Sequence, residues 1–251
     1  MIVLKDTDRV FVAKKDNYVI KRFRKLSDKN NKNLLGKLER INDTSKISGL
    51  IVPEYYETKN GVVKEIYTKY VDLPNLDYGV TDFETITKCL INLEKILKKA
   101  HQEDICLLDF TTSGNLKYNP DSCEVYALDY EDMQIGNNLA FACSSKLIQF
   151  LSLDNDKYYS DSKFTKESDI FLLIMFWFRL CTYLELPDVF NNPANMLRTV
   201  NLHNDEVARN VLLCYDLNRN NEYVSPYLDK THLLYTLEFD HERFLRKFIR
   251  K

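Results

Sequence analysis

HQEDICLLDFTTSGNLKYNPDSCEVYALDYE, residues 101–131, holds two acids that each stand at the end of a short apolar run. Asp109 follows the run at 105–108 and Asp129 follows the run at 125–128, with Asn115 in the polar segment between them. Apolar runs this short, flanked by Thr, Ser, Gly, Asn and Pro, read as short buried strands. Carboxylates at the ends of packed strands are aimed by a rigid base. Carboxylate and carboxamide oxygens together suit a hard cation and the phosphates it carries, so the stretch predicts a site for metal and phosphate.

The order His101, Ile-Cys-Leu-Leu-Asp109, Asn115, then an apolar strand ending in Asp129-Tyr130-Glu131 resembles the catalytic and metal-binding loops of the protein-kinase-like superfamily, whose pattern is H-R-D-L-x-x-x-N followed by D-F-G. The run DFTTSGN also resembles the D-L-T-T-S-N loop of the small atypical kinases that work with tRNA-modification complexes, with one added glycine. Three departures stand out. Leu107 and Leu108 replace His-Arg, which removes the basic residue that reads a phosphorylated activation loop. Glu131 replaces the Gly after the metal-binding Asp, as in small-molecule kinases of the aminoglycoside or choline type, although those carry His where this chain has Leu107. Asn115 stands six positions after Asp109 where the family has five, with Gly114 as the extra residue.

Residues 1–71 read as strands interrupted by one helix. The segments at 10–13 and 18–23 flank a K-K-D-N turn and form a hairpin pattern, and Gly61 separates two further strands. Between them, residues 29–42 carry apolar side chains at 34, 35, 38 and 41, a helical spacing. YVIKRF resembles the V-A-I-K strand, which implies that Lys21 holds the α- and β-phosphates of ATP; without the resemblance it is an edge-strand lysine in water. No glycine occurs in residues 1–20, so the glycine-rich phosphate cover of the family is missing. Glu39 is the one acid within the apolar-spaced helix and the obvious partner for Lys21, but its register favours an exposed helix surface. EIYTKYVDLPNL resembles the last strand of the lobe entering the hinge, which places Thr68 at the pocket behind the adenine and Tyr70 and Val71 along it.

From about residue 81 the pattern becomes mainly helical. Thr81 or Asp82 can cap a helix with an apolar stripe of Phe83, Ile86, Leu90, Leu93, Ile96 and Leu97, ending at His101. The resemblance gives His101 a structural role. FTKESDIFLLIMFWF, residues 164–178, resembles the Y-T-x-x-S-D-I-Y opening of the central buried helix of a kinase carboxy-terminal lobe. That implies a buried Asp169 bracing the backbone at Leu108 and Asp109; on physical grounds alone Ser168 or Asp169 is an N-cap. The activation-segment equivalent, with Ser144, Ser145, Ser152, Tyr158, Tyr159 and Ser160 as hydroxyls open to phosphorylation, lacks the Ala-Pro-Glu close. The tail FDHERFLRKFIRK reads as a docked amphipathic terminal helix.

A chain of 251 residues with 45% hydrophobic content can bury a core in one domain of two apposed lobes, which excludes a disordered protein. The net charge of -2 gives no signal for nucleic acid or a membrane surface. Six cysteines without C-x-x-C spacing argue against structural zinc and for a reducing compartment. The run MIVL is broken at once by Lys5, Asp6, Asp8 and Arg9, so no secretory leader is expected. The most apolar stretch, 170–180, is too short to span a bilayer. The Lys-, Asn-, Asp- and Tyr-rich composition suggests an AT-rich bacterial or viral genome, and with no leader, no span and a reducing compartment the expected location is the cytoplasm, that of the host if viral.

Together these readings give an α+β, two-lobed protein-kinase-like fold. A small β-rich N-lobe occupies residues 1–72 and a larger, mainly helical C-lobe residues 73–251. The implied activity is transfer of phosphate from ATP, with Mg²⁺ or Mn²⁺, to Ser/Thr hydroxyls of a protein substrate. Asp109 orients and deprotonates the acceptor, Lys21 holds phosphate, and Asn115 and Asp129 bind the metal. A catalytically inactive scaffold that engages a regulatory protein partner and a small-molecule kinase are the alternatives.

Overall fold

The computed structural model describes residues 1–77, 80, 83–141 and, beyond them, 164, 166, 168, 169, 172, 173, 176 and 180. The expected activation-segment hydroxyls, the caps at Thr81 and Asp82 and the terminal helix lie outside the described residues. Five strands come first: β1 (Ile2–Asp6), β2 (Val10–Lys15), β3 (Tyr18–Phe23), β4 (Pro53–Lys59) and β5 (Val62–Lys69). They form one antiparallel sheet in the order β1-β2-β3-β5-β4. Both expected hairpins are present. Asn60 and Gly61 both have positive φ, 53° and 73°, the conformation that a two-residue turn needs to match the twist of its strands. β1 escaped the period-2 reading because its residues are exposed on both faces at the sheet edge, so nothing forces Ile2, Val3 and Leu4 to alternate with polar residues.

The helix read at 29–42 is two helices, α1 (Asp28–Leu38) and α2 (Ile41–Thr44). Ser27 caps α1, its Oγ accepting the Asn30 amide at 3.2 Å. The break has a local cause. The Lys37 carbonyl accepts both the Arg40 amide at 2.9 Å and the Tyr130 hydroxyl at 2.7 Å, and Arg40 leaves helical geometry at φ -97°, ψ 10°. A side-chain hydroxyl inserted into the carbonyl ladder is a recognised cause of helix interruption.

α3 (Phe83–Gln102) then buries Ile86, Leu90, Leu93, Ile96 and Leu97 of the stripe its spacing predicts, with Ala100 beside them. Four short strands follow: β6 (Ile105–Cys106), β7 (Leu116–Tyr118), β8 (Val125–Ala127) and β9 (Gln134–Ile135). β6 pairs with β9 and β7 with β8, both antiparallel. Leu107 and Leu108, read as strand, are buried but leave the ladder, with Leu108 at φ 61°. Cys89, Cys106 and Cys123 are free and buried, as small apolar residues. One contiguous core runs from Phe23, Leu34 and Ile66 through α3 to Leu172 and Phe176. Among the described residues no helix is long and apolar enough to cross a membrane.

Two contacts fix the site's frame. Gly49 (φ 90°) accepts the Ala127 amide at 2.8 Å while Ile51 donates to the Ala127 carbonyl at 2.9 Å, tying the segment before β4 to the strand that carries Asp129. Asp169, fully buried in a helical stretch with Leu172 and Leu173, accepts the Leu107 amide on Oδ2 and the Leu108 amide on Oδ1, both at 2.8 Å. The brace therefore sits one residue earlier than the Leu108 and Asp109 expected from sequence. His101 Nε2 lies 2.9 Å from Asp169 Oδ2, the structural role expected for it.

Replacing Asp169 with Ala leaves two buried amides without acceptors, at about 1–3 kcal/mol each. We expect a loss of about 2–5 kcal/mol in urea denaturation; a loss of a few tenths would reduce Asp169 to a cap. Gly49→Ala places a Cβ 2.4 Å from Ile96 Cδ1 and 2.8 Å from the Val125 carbonyl oxygen at a backbone angle that disfavours any side chain. The strain and the overpacking each cost about 1–3 kcal/mol. The same denaturation experiment is expected to show a clear shift to lower midpoint.

Candidate functional site

The ends of the short strands converge on one face. β6 leads to Asp109, Asn115 precedes β7, Asp129 follows β8, and Glu131 lies in the 3₁₀ turn Tyr130–Asp132 before β9. From the other side, β3 delivers Lys21, which pairs with Val12 on β2 and Ile66 on β5. A lysine in a central strand of the sheet is not the solvated edge residue that the strand pattern alone suggests. Its side chain is 14% exposed, and Nζ lies 3.2 Å from Asp129 Oδ1. The same ammonium makes an ion pair with Glu131, whose side chain is 6% exposed.

The loop after β6 folds back on itself. Thr112 Oγ1 donates to Asp109 Oδ1 at 2.7 Å, and Asn115 Nδ2 donates to Asp109 Oδ2 at 3.1 Å and to the Asp109 carbonyl at 2.9 Å. The extra residue Gly114 takes φ 93° with nothing within 4 Å of where a Cβ would stand, so the added length bulges outward and leaves Asn115 in place. Asn115 then accepts the Leu128 amide at 2.9 Å, which sets it beside the strand that carries Asp129. Burial pushes the Asp109 carboxyl above the ordinary carboxylate range, and the nearby Asp129 charge acts in the same direction. The Thr112 and Asn115 hydrogen bonds and the Lys21 charge oppose it. Asp129 itself adopts the left-handed conformation, φ 61°, ψ 58°, a strained geometry for a non-glycine residue of the kind that clusters at functional sites.

The sequence reading missed how Lys21 is held. Glu39 is exposed at the end of α1 and takes no part in the site. Lys37 of the same helix points inward instead, fully buried, and donates to the Glu131 carbonyl at 2.6 Å. Tyr130, also buried, returns a bond from its hydroxyl to the Lys37 carbonyl at 2.7 Å. Burial lowers the Lys37 pKa and raises that of Asp132, and the Asp132 charge partly restores the Lys37 ammonium. The available signal was a lysine three positions after Leu34 and next to Leu38, on the apolar face of a helix.

The hinge residues are less convergent. Thr68 pairs with Val19 and Pro53 within the sheet, while the Tyr70 amide is committed to the Asn17 carbonyl at 2.7 Å and the Lys14 ammonium lies 3.5 Å from the Tyr70 ring centre. The Tyr70 amide is therefore not aimed at a base, and of the expected hinge pair Val71 remains. The turn before β2 does not substitute for a glycine cover either. Thr7 Oγ1 accepts the Arg9 and Val10 amides at 3.3 and 3.1 Å, which draws them into the turn.

Oxygen atoms of Asp129, Glu131 and Asp132 lie within 4.8 Å of one another, a hard-donor set that suits a divalent cation of the Mg²⁺ class. With Asn115 Nδ2 turned to Asp109, its Oδ1 is the atom with which that residue can meet such a cation.

No family model matches this chain, and no curated protein matches it. Among solved structures it is similar to the Cydia pomonella granulovirus kinase PK-1, at 16% identity, over 74% of this chain and 68% of that one, with a TM-score of 0.52. At that identity the likeness speaks for fold alone: the chain has a kinase-like fold, with the five-stranded antiparallel sheet as its amino-terminal lobe.

Proposed function

We propose that the chain is an ATP- and Mg²⁺-dependent phosphotransferase acting on Ser or Thr hydroxyls of a protein. The observation that carries this is the meeting of Lys21 with Asp129, 108 positions apart in sequence and 3.2 Å apart in space, beside the Asp109–Asn115 pair. In this reading Lys21 holds the α/β-phosphates, and Asp129 and Asn115 hold the metal. The metal, when bound, neutralises charge on the transferring phosphoryl group. Asp109 orients the acceptor hydroxyl and takes its proton. Thr112 and Asn115 each donate to one of its oxygens, so the carboxylate is fixed in rotation before substrate arrives.

A nucleotide-binding scaffold that transfers nothing is the second reading. The turn amides drawn toward Thr7 favour it, since no glycine-rich cover orders the phosphates. A small-molecule acceptor, suggested by Asp129-Tyr130-Glu131, is separated from a protein acceptor by where label from ATP arrives.

ATP with Mg²⁺ is expected to stabilise the fold by about 2.7 kcal/mol at a hundredfold excess over Kd, read as a thermal shift that largely disappears in Asp129→Ala. No shift at millimolar ATP with Mg²⁺ or Mn²⁺ sinks nucleotide binding. Asp109→Asn is expected to cost about 10²- to 10⁴-fold in transfer rate, the usual worth of a positioned base, while ATP affinity stays nearly unchanged. Because burial raises the Asp109 pKa, its base form is lost on acidification before an ordinary carboxylate, near pH 3.9, would protonate. The acid limb of the rate profile is expected above that value and absent in Asp109→Asn. Wild-type protein that binds ATP and labels neither protein nor small alcohols establishes the scaffold.

A further inference from the structure

In kinase folds the phosphate-holding lysine is aligned by a glutamate from the helix that follows its strand. Here that helix offers no acid to Lys21. Its inward residue is Lys37, and the carboxylate on Lys21 is Glu131, two positions after Asp129. The two charges have exchanged elements. We propose that Glu131 is the positioning residue for Lys21, and that Lys37 holds Glu131 in place from α1. The proposal rests on the nucleotide-binding reading above and names the part of the site that makes it work.

Three observations support it beyond the ion pair. Glu131 is 5% exposed, so its carboxylate is not a solvated acid that Lys21 happened to meet. Its backbone is fixed by the Lys37 ammonium at 2.6 Å, while the neighbouring Tyr130 hydroxyl grips the Lys37 carbonyl at 2.7 Å. That reciprocal pair joins α1 to the 3₁₀ turn at two points and leaves little freedom to either. Lys37 also lies 4.8 Å from the centre of the Phe141 ring, which closes the far side of its ammonium. In the usual arrangement an outward swing of the helix removes the acid from the lysine and switches the enzyme off. Here such a swing would withdraw Lys37 from the Glu131 carbonyl and loosen the turn that holds the Glu131 carboxylate on Lys21.

A rival use of the same geometry is a plug. Glu131 and Asp129 together would neutralise Lys21 and compete with phosphate for it, so that removing Glu131 improves nucleotide binding. The two uses predict opposite signs. Equilibrium ATP binding, with and without Mg²⁺, is measured on the full chain for wild type, Glu131→Gln, Glu131→Asp and the double variant Lys37→Glu/Glu131→Gln, with a thermal melt of each. The proposal expects Glu131→Gln to weaken ATP about 10- to 100-fold, the worth of a hydrogen bond to a charged group. It expects Glu131→Asp to lose less, and the double variant, which returns an acid to α1, to recover part of the loss. Unchanged or tighter binding by Glu131→Gln overturns it, as does a double variant that folds and binds no better than Glu131→Gln. Should Glu131→Gln not fold, Glu131→Asp decides: weakened binding by the folded variant supports the positioning role, and wild-type affinity overturns it. Failure of the wild type itself to bind ATP removes the nucleotide reading and this one together, and is seen before any variant is made.

Discussion

The carboxylate of Asp169 is the constraint on which the site depends. A buried carboxyl group is costly unless it is hydrogen-bonded, and this one receives the Leu107 and Leu108 amides and faces His101 Nε2. The same bonds make an otherwise unfavourable backbone possible. Leu108 has no side-chain reason to adopt φ 61°, a conformation costing about 1–2 kcal/mol for an L-residue, and its amide held on Oδ1 at 2.8 Å offsets that cost. The twist at Leu108 turns the chain out of β6 and presents Asp109 to the face where Lys21 and Asp129 meet.

At Lys21 the balance of terms differs. Two unit charges 3.2 Å apart attract by about 5 kcal/mol at an effective dielectric of about 20, an attraction that solvent screens at Asp129, 37% exposed, and that desolvation of Lys21 and Glu131 opposes. The terms nearly cancel, so the pairs with Asp129 and Glu131 add little to the stability of the fold. What they supply is direction. The ammonium is held between two oxygens of one turn, and that turn is riveted to α1 through Lys37 and Tyr130. Burial pushes the Tyr130 phenol up to about 12, so its hydroxyl stays a donor to the Lys37 carbonyl across the physiological range. A turn fixed in this way can keep Asp129 in the left-handed region.

Much of this was legible in the sequence because the chemistry-bearing residues sit at the ends of short, locally readable strands. Asp109, Asp129 and Lys21 are each marked by an apolar run before them and Asn115 by its place in the polar segment between two such runs, and the structure brings all four together. The hidden parts depend on contacts that sequence spacing does not encode. The exchange of charge between α1 and the turn needs Lys37 and Glu131, 94 positions apart, to be seen as one unit. α1 ends early because a tyrosine 93 positions away takes its Lys37 carbonyl, which no helix propensity records. The brace was expected at Leu108 and Asp109 from the resemblance alone, and which two amides Asp169 meets is set by the turn at Leu108, which no spacing records. The hinge was overread for the opposite reason. Tyr70 has the expected place in the pattern, but its amide is spent on Asn17.

The inserted glycine shows how far motif spacing can be pressed. Six positions from Asp109 to Asn115 in place of five suggests a carboxamide rotated away from Asp109, yet its Nδ2 lies 3.1 Å from Asp109 Oδ2 because of where the extra residue goes. The Thr112 amide bonds back to the Asp109 carbonyl at 3.2 Å and the Asn115 amide to the Thr112 carbonyl at 3.1 Å, two successive tight turns that shorten the path. Gly114 supplies the left-handed step that lets the second turn close, at φ 93° with open space around it. The loop's ends are set by β6 and by the β7–β8 ladder, both anchored elsewhere, so extra length is absorbed where nothing packs. The distance between Asp109 and Asn115 is therefore a property of the two ladders, and the residue count between them can change without moving either side chain.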